Sequence, residues 1–263
     1  TLRLGTAVLV LPWHNPVLLA EQIATLDLLS GGRVDAGVGK GYRINEFDGF
    51  CVSTEEADER FEECLEVMTK AWTSDTPWSH QGTYWQFNEV VVEPPSAQKP
   101  HAPLWMGAGS PRSIKQVADR GYNMLLGQFD SLETISDEVA LFKSEVESRG
   151  RAYDPMEVAV ARSINIVDSA SEYEQAIQTR MAGRRRTQAL ARRPHFQDTF
   201  EAAEDGTIYG TPDEVGAQLQ ALQDVGVQYI LLNTPGGLPT LRRFAQEVMP
   251  GFPANPERRQ FPP

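Results

Sequence analysis

Cysteine is nearly missing from this chain. Of 263 residues only Cys51 and Cys64 carry a thiol, too few for a disulfide framework at this length. Histidine is also scarce: His14, His80, His101 and His195 lie far apart. Without metal-ligand spacing among them, no metal site is expected. Positive charge is in deficit, with 36 acidic against 24 basic residues and a net charge of −12. That balance argues against a nucleic-acid or polyanion-binding surface. No apolar run is long enough to span a membrane and no signal peptide is recognised at the start, so no membrane association is expected and the cytoplasm is the expected compartment.

What remains is an ordinary globular composition, 41% hydrophobic and 23% charged, in a length that suits one large barrel domain or two small ones. The pattern is strand, then helix, repeated. Leu2 to Leu11 is a near-continuous apolar run, which fits a strand buried on both faces of a parallel sheet. Asn15-Pro16 supplies an N-cap and a first-turn proline, and Ser30-Gly31-Gly32 stops the helix between them. Val34 to Gly39 is the second strand. Ser53 with Glu56 predicts a capping box for a helix with the stripe Phe61, Leu65, Met68 and Trp72. Cys64 lies on that stripe and reads as a buried thiol. Trp78 to Val92 predicts an aromatic-rich hairpin packing on its own rings.

Leu104 to Gly107, Asn123 to Leu126, Val158 to Val167 and Val227 to Leu232 are the remaining strands. Between them come helices from Ser110-Pro111 to about Gly121, from Leu132 to Ser148, from Ser171, and from Thr211-Pro212 to Gly226. Leu241, Phe244 and Val248 mark a last helix, and the proline-rich tail from Pro250 is expected to be extended. Six βα units with no linker between them imply one domain, 1–263, holding a parallel sheet that is either open or closed.

Three motifs could carry chemistry. Gly107-Ala108-Gly109-Ser110-Pro111-Arg112-Ser113 ends a buried strand in glycines and begins a helix at once. Open backbone, helix dipole and two hydroxyls suit a phosphate, while a plain tight turn with a serine cap is the alternative. Gly37-Val38-Gly39-Lys40-Gly41-Tyr42-Arg43 also follows a strand. It is neither a dinucleotide fingerprint nor a P-loop; Lys40 could serve a phosphate as a point charge, or be a solvated loop lysine. The arginines 180, 184, 185, 186, 192 and 193 reverse the local sign of charge. They form either a solvated helix face or a lid over an anionic cofactor.

Taken together these residues resemble the bacterial-luciferase-like flavin oxidoreductases. The resemblance is densest in Leu4-Gly5-Thr6-Ala7-Val8-Leu9-Val10-Leu11-Pro12. It continues through Pro16, Ala20-Glu21, Leu26-Asp27, Ser30, Gly32-Arg33, Gly37, Gly41 and Phe47, then Pro103 to Gly107, Gly109-Ser110-Pro111 and Gly210-Thr211-Pro212. It implies an α/β fold of TIM-type (β/α)8 barrel class, of which about six βα units, the third to the eighth, stand in this chain. Thr6, Ala7 and Val8 would then form the bed of a flavin ring, with a non-proline cis peptide at Ala7-Val8. Lys40, Tyr42, Gly109, Ser110 and Ser113 would hold the cofactor. His14 and Glu46 are the catalytic candidates. The implied activity is a monooxygenase acting with reduced FMN and molecular oxygen on a small organic substrate. A separate flavin reductase and a homodimer are implied with it. The alternatives are hydride transfer with a deazaflavin coenzyme, or a non-catalytic flavin-binding protein or subunit.

Overall fold

The computed structural model describes residues 2–191 and 197–252. The chain divides into two compact units, residues 1–107 with 190–193, and residues 108–189 with 194–263.

In the first unit, β1 (Leu4–Gly5) and β2 (Leu9–Val10) precede α1 (Pro16–Ser30) and β3 (Val34–Gly39). Next come α2 (Ile44–Gly49), α3 (Ala57–Thr73), the hairpin β4 (Trp78–Gln81) and β5 (Gln86–Val90), and β6 (Leu104–Gly107). Both β1 and β2 pair in parallel with one side of β3, and β6 pairs in parallel with it as well. Asn15 caps α1 by accepting from the Val17 and Leu18 N–H groups, and Gly31 ends the helix in the left-handed conformation. Those are the roles its sequence assigns them. The core gathers Leu11, Phe47, Phe61, Met68 and Met106, all buried. Cys64 is fully buried, and loss of water pushes its thiol up to about 12.

Two expectations are corrected here. Leu2 to Leu11 is not one strand buried on both faces: Leu2 is 82% and Leu4 40% exposed, and the run is interrupted between β1 and β2. Ser53 and Glu56 make no capping box. The Ser53 hydroxyl accepts from the Glu55 N–H, and Glu56 instead pairs with Arg60 at 2.7 Å. The helix forms all the same, because its buried stripe supplies most of its stability.

The hairpin is fastened to α3 by one carboxylate. Glu63 accepts from the backbone N–H groups of Thr83, Tyr84 and Trp85 and meets His80 Nε2 at 3.2 Å. Burial opposes its charge, but the backbone donors and His80 hold the carboxyl below its usual range. A second polar knot ties the N-terminal ends of the strands. Arg3 forks onto Asp35 at 2.6 and 2.9 Å, Gln98 donates to Asp27 and to the Val34 carbonyl, and the Trp105 indole donates to Asp35.

The second unit contains α4 (Pro111–Arg120), β7 (Asn123–Leu126), α5 (Leu132–Ser148), β8 (Val158–Ile166), α6 (Ala170–Ala189) and α7 (Phe200–Asp205). It continues with β9 (Thr207–Gly210), α8 (Pro212–Asp224), β10 (Tyr229–Asn233) and α9 (Gly237–Arg243). Strands β7, β9 and β10 all run parallel to β8, with β7 on its first residues and β9 on its last. The expected helix start at Thr211-Pro212 forms, with Thr211 and Glu214 making a capping box for α8. The short elements α2, α7 and β9 were not anticipated. The last helix departs from its expected stripe: Val248 is buried but Leu241 is 40% exposed. From Phe244 the helix widens into a π turn, and the extra residue per turn rotates the inward face. Gly251 closes a 3-10 turn, and the proline-rich tail beyond residue 252 lies outside the described residues.

Asp35→Ala removes the partner of the Arg3 guanidinium, whose side chain is 13% exposed. The expected loss is about 3 kcal/mol, because the Arg3 guanidinium loses its charged partner and keeps its bonds to the Val34 carbonyl and Gln98. Urea denaturation of the two proteins measures it.

Candidate functional site

Each unit contributes one stretch of candidate cofactor residues. In the first, β1 and β2 are two halves of one strand joined by a bulge. Leu4 lies opposite Val34 and Leu9 opposite Val38, so the first strand holds one residue more than β3 over the same span. Such an insertion bends a strand and re-aims its side chains. The extra residue falls among Thr6, Ala7 and Val8, and the Ala7–Val8 peptide is cis. Thr6 fixes the bulge: its hydroxyl donates to the Gly37 carbonyl at 2.8 Å and accepts from the Gly37 N–H at 2.9 Å.

This bulge explains the glycines opposite it. A β-carbon on Gly37 would overlap the Thr6 carbonyl. One on Gly39 would stand 2.6 Å from Val8 Cγ2, and one on Gly41 2.6 Å from Val10 Cγ1. Gly41 also has φ +78, a conformation that strains any side chain. The three glycines therefore serve the close approach of the first strand. Any role in ligand binding rests with Lys40 and Tyr42, which extend past β3.

Lys40 Nζ sits 2.9 Å from Asp58 Oδ1 and 5.6 Å from the centre of the Phe61 ring. Its partner is 77% exposed, so the pair contributes little stability and can yield to a better anion. The Arg43 guanidinium lies 5.7 Å from the Tyr42 ring and is held above its ordinary value chiefly by its hydrogen bond to Tyr42. It also pairs with Glu46 at 3.2 Å, three residues on in α2. Glu46 is thus an ion-paired residue of the first helical turn. His14 follows the 3-10 turn Leu11–Trp13 and is half-buried. Desolvation lowers its pKa from 6.5, so the imidazole is neutral at physiological pH and keeps one acceptor nitrogen.

In the second unit, Ser110 and Ser113 form a reciprocal capping box at the start of α4. The Ser113 hydroxyl accepts from the N–H groups of Gly109 and Ser110 at 3.3 and 3.0 Å, and the two hydroxyl oxygens are 2.8 Å apart. Gly109 and Ser110 are exposed, and a β-carbon on Gly107 would meet nothing within 4 Å. Packing therefore gives no reason for glycine at 107. The helix start favours an anion, which would share or replace the bonds that the capping box now makes.

The arginines separate into two kinds. Arg184 is buried, donating to the carbonyls of Ala202 and Gln197 and lying 4.9 Å from the Phe129 ring centre. Burial lowers its pKa to about 10, and Arg180 adds to the fall. Arg180 donates to the Gly206 carbonyl. Arg185 pairs with Asp198, and Arg186 is exposed. A cluster facing solvent as a whole is thus not what forms. Arg192, Arg193 and His195 lie outside the described residues. His80 and His101 are structural, through Glu63 and through the Ala102 carbonyl and Trp72 ring.

Sequence reasoning missed one charged cluster. Glu138 of α5 is 8% exposed and Arg162 of β8 is 2% exposed. Arg162 donates to the carbonyls of Gly127 and Asp130 at 3.1 and 2.7 Å. The signal was present: Glu138 interrupts the inward stripe Ile135, Val139, Phe142, Val146, and Arg162 interrupts an apolar strand. Among the described residues, no group of three potential ligands could hold a metal, and no helix is long and apolar enough to cross a membrane.

Arg184→Ala should destabilise the protein by about 2–3 kcal/mol, since the hydrogen bonds of a buried guanidinium to the Ala202 and Gln197 carbonyls are lost with its packing on Phe129. Arg186→Ala should change stability by less than about 0.5 kcal/mol. Thermal denaturation of the two variants separates the structural arginine from the exposed one.

Comparison with known proteins follows from this geometry. The family model described as luciferase-like monooxygenase matches residues 1–229. An FMNH(2)-dependent dimethylsulfone monooxygenase of Pseudomonas putida is 26% identical, over 95% of this chain and 74% of its own length. An F420-dependent glucose-6-phosphate dehydrogenase of Amycolatopsis mediterranei is 26% identical, over 94% of this chain and 78% of its own. The crystal structure of the monooxygenase RslO1 from Streptomyces bottropensis superposes with a TM-score of 0.82 at 25% identity, covering 95% of this chain and 78% of that one. The relatives are longer: the chain spans 55% of one and 74% of another. Parallel βα units and these matches agree on an α/β fold of the luciferase-like barrel class. The chain belongs to the luciferase-like monooxygenase family.

Proposed function

We propose that the chain is the oxygenase of a flavin-dependent monooxygenation, using reduced FMN and molecular oxygen on a small organic substrate. The observation that carries this reading is the Gly107 to Ser113 turn. Its glycines carry no side chain, its N–H groups and two hydroxyls stand together in the capping box, and it begins a ten-residue helix. These are neutral or positively polarised donors suited to a phosphate monoester.

The residues present fit an FMN cofactor. In the second unit Ser110, Ser113 and the Gly109 N–H are the candidates to hold its phosphate; in the first, Lys40 is a candidate charge for the cofactor, paired here with Asp58. The bulge at Thr6 to Val8 would support the ring, and Tyr42 would flank it. When bound, reduced flavin supplies the electrons that activate oxygen. The chain's own contribution is to hold and orient. Thr6 fixes the bulge through its two bonds to Gly37. His14, neutral at physiological pH, can accept or relay one proton. Glu46 orients Arg43. A separate flavin reductase as electron source and a homodimer belong to the same proposal.

A second reading, hydride transfer with a deazaflavin coenzyme, is favoured by the F420-dependent relative. Both coenzymes are anionic, so the turn alone does not separate them. Lys40 beside the first-unit bulge, at the position where luciferase-like chains carry an arginine for the flavin phosphate, favours FMN.

Anaerobic titration tests both readings. Reduced FMN should bind and the deazaflavin coenzyme should not. Tight binding of the deazaflavin alone sinks the proposal. Replacing Ser110 and Ser113 together with alanine should weaken FMN by about 10- to 100-fold, the value of one or two hydrogen bonds to a charged group. Riboflavin, which lacks the phosphate, should bind the two proteins equally.

A further inference from the structure

Directly behind the Gly109 turn stands a buried carboxyl that the monooxygenase reading does not use. Glu138 projects inward from α5, and a β-carbon on Gly109 would lie 3.7 Å from its Oε1. Its other oxygen, Oε2, is buried and has no hydrogen-bond partner. A buried polar atom without a partner is rare and calls for a reason.

The surroundings do not neutralise it. From the loop after β7 comes the carboxyl of Asp130, and from β8 the guanidinium of Arg162. Arg162 gives its hydrogen bonds to the carbonyls of Gly127, Asp130 and Ala161 and none to Glu138. From α4, Lys115 pairs with Glu145, seven residues further along α5. Beyond Arg162 stands Arg180. Burial pushes the Glu138 carboxyl up to about 7, Asp130 adds to the rise, and Arg162 opposes it. Asp130 is itself raised, mainly by burial.

We propose that Glu138 is a positioning residue beneath the phosphate turn, whose neutral form lets the turn hold a phosphate and whose charged form repels it. The proposal rests on the FMN reading of the turn. A charge on this buried carboxyl acts at short range on the turn, since a β-carbon on Gly109 would lie 3.7 Å from Oε1, and solvent screens the path only on the exposed side of Gly109. It acts on the anion at short range, because the carboxyl stands against Gly109 of the turn. Release of the cofactor phosphate would then accompany loss of a proton from Glu138.

The sign for stability follows from the same group. A carboxyl whose folded pKa is raised stabilises the fold while protonated in both states. That contribution is lost as pH rises from the unfolded value, near 4.5, through about 7. Glu138→Gln should abolish this fall.

The test is FMN binding to the full chain from pH 5.5 to 8.5, for the native protein and Glu138→Gln. The phosphate's own titration is common to both, so the ratio of their Kd values isolates Glu138. The ratio should be near one at pH 5.5 and should rise about threefold or more by pH 8.5, as the native protein loses affinity. Glu138→Met, also neutral and of similar length, should behave as the Gln variant does. Riboflavin binding should show no such ratio. A ratio constant across the range while FMN binds overturns the proposal and leaves the FMN reading standing. No FMN binding to any of the proteins at any pH overturns both.

Discussion

The first strand lies so close to β3 that alternate positions opposite it must lack a side chain. Thr6, Val8 and Val10 occupy the space that β-carbons on Gly37, Gly39 and Gly41 would need. That contact explains why the strand can carry a bulge and still pair on both sides of it. The Thr6 hydroxyl replaces ladder bonds that the bulge would otherwise lose, and the Ala7–Val8 unit is held in place between two paired segments. Lys40 and Tyr42 are then carried past the strand end by a backbone whose direction the glycines permit.

Buried charge is used in several distinct ways. Arg3 and Asp35 are matched in number and geometry, so they fasten strand ends. Arg162 and Arg184 are spent on backbone carbonyls, which fixes loops but leaves carboxylates nearby less compensated. Glu63 shows the opposite arrangement, a carboxylate satisfied by backbone donors and held in its charged form. Glu138 keeps one buried oxygen without a hydrogen-bond partner, and it stands against Gly109 of the turn proposed to hold an anion.

Much of the architecture was legible in the residues. The caps Asn15, Ser110 and Thr211 and the strands Val34–Gly39, Leu104–Gly107 and Asn123–Leu126 form where propensity and spacing place them. Local signals failed where the decisive partner was distant. Ser53 and Glu56 have the spacing of a capping box, but Arg60 takes Glu56. The final helix loses its stripe to a π turn that no residue type announces. The arginine run reads as one cluster along the chain, yet α6 turns Arg184 inward and leaves Arg186 in water.

By itself the sequence determined the order of βα units and the family, and it nominated residues whose chemistry suits a phosphate. These depend on short-range spacing and on residue type. Only the tertiary structure decided why the glycines at 37, 39 and 41 are glycines, and which charges are buried. Both depend on what another segment of chain places within a few ångströms, and spacing along one strand or helix does not record that. Glu138 is the clearest case. Its position in an inward stripe is visible in the chain, but its place behind Gly109 arises from the packing of α5 against the start of α4.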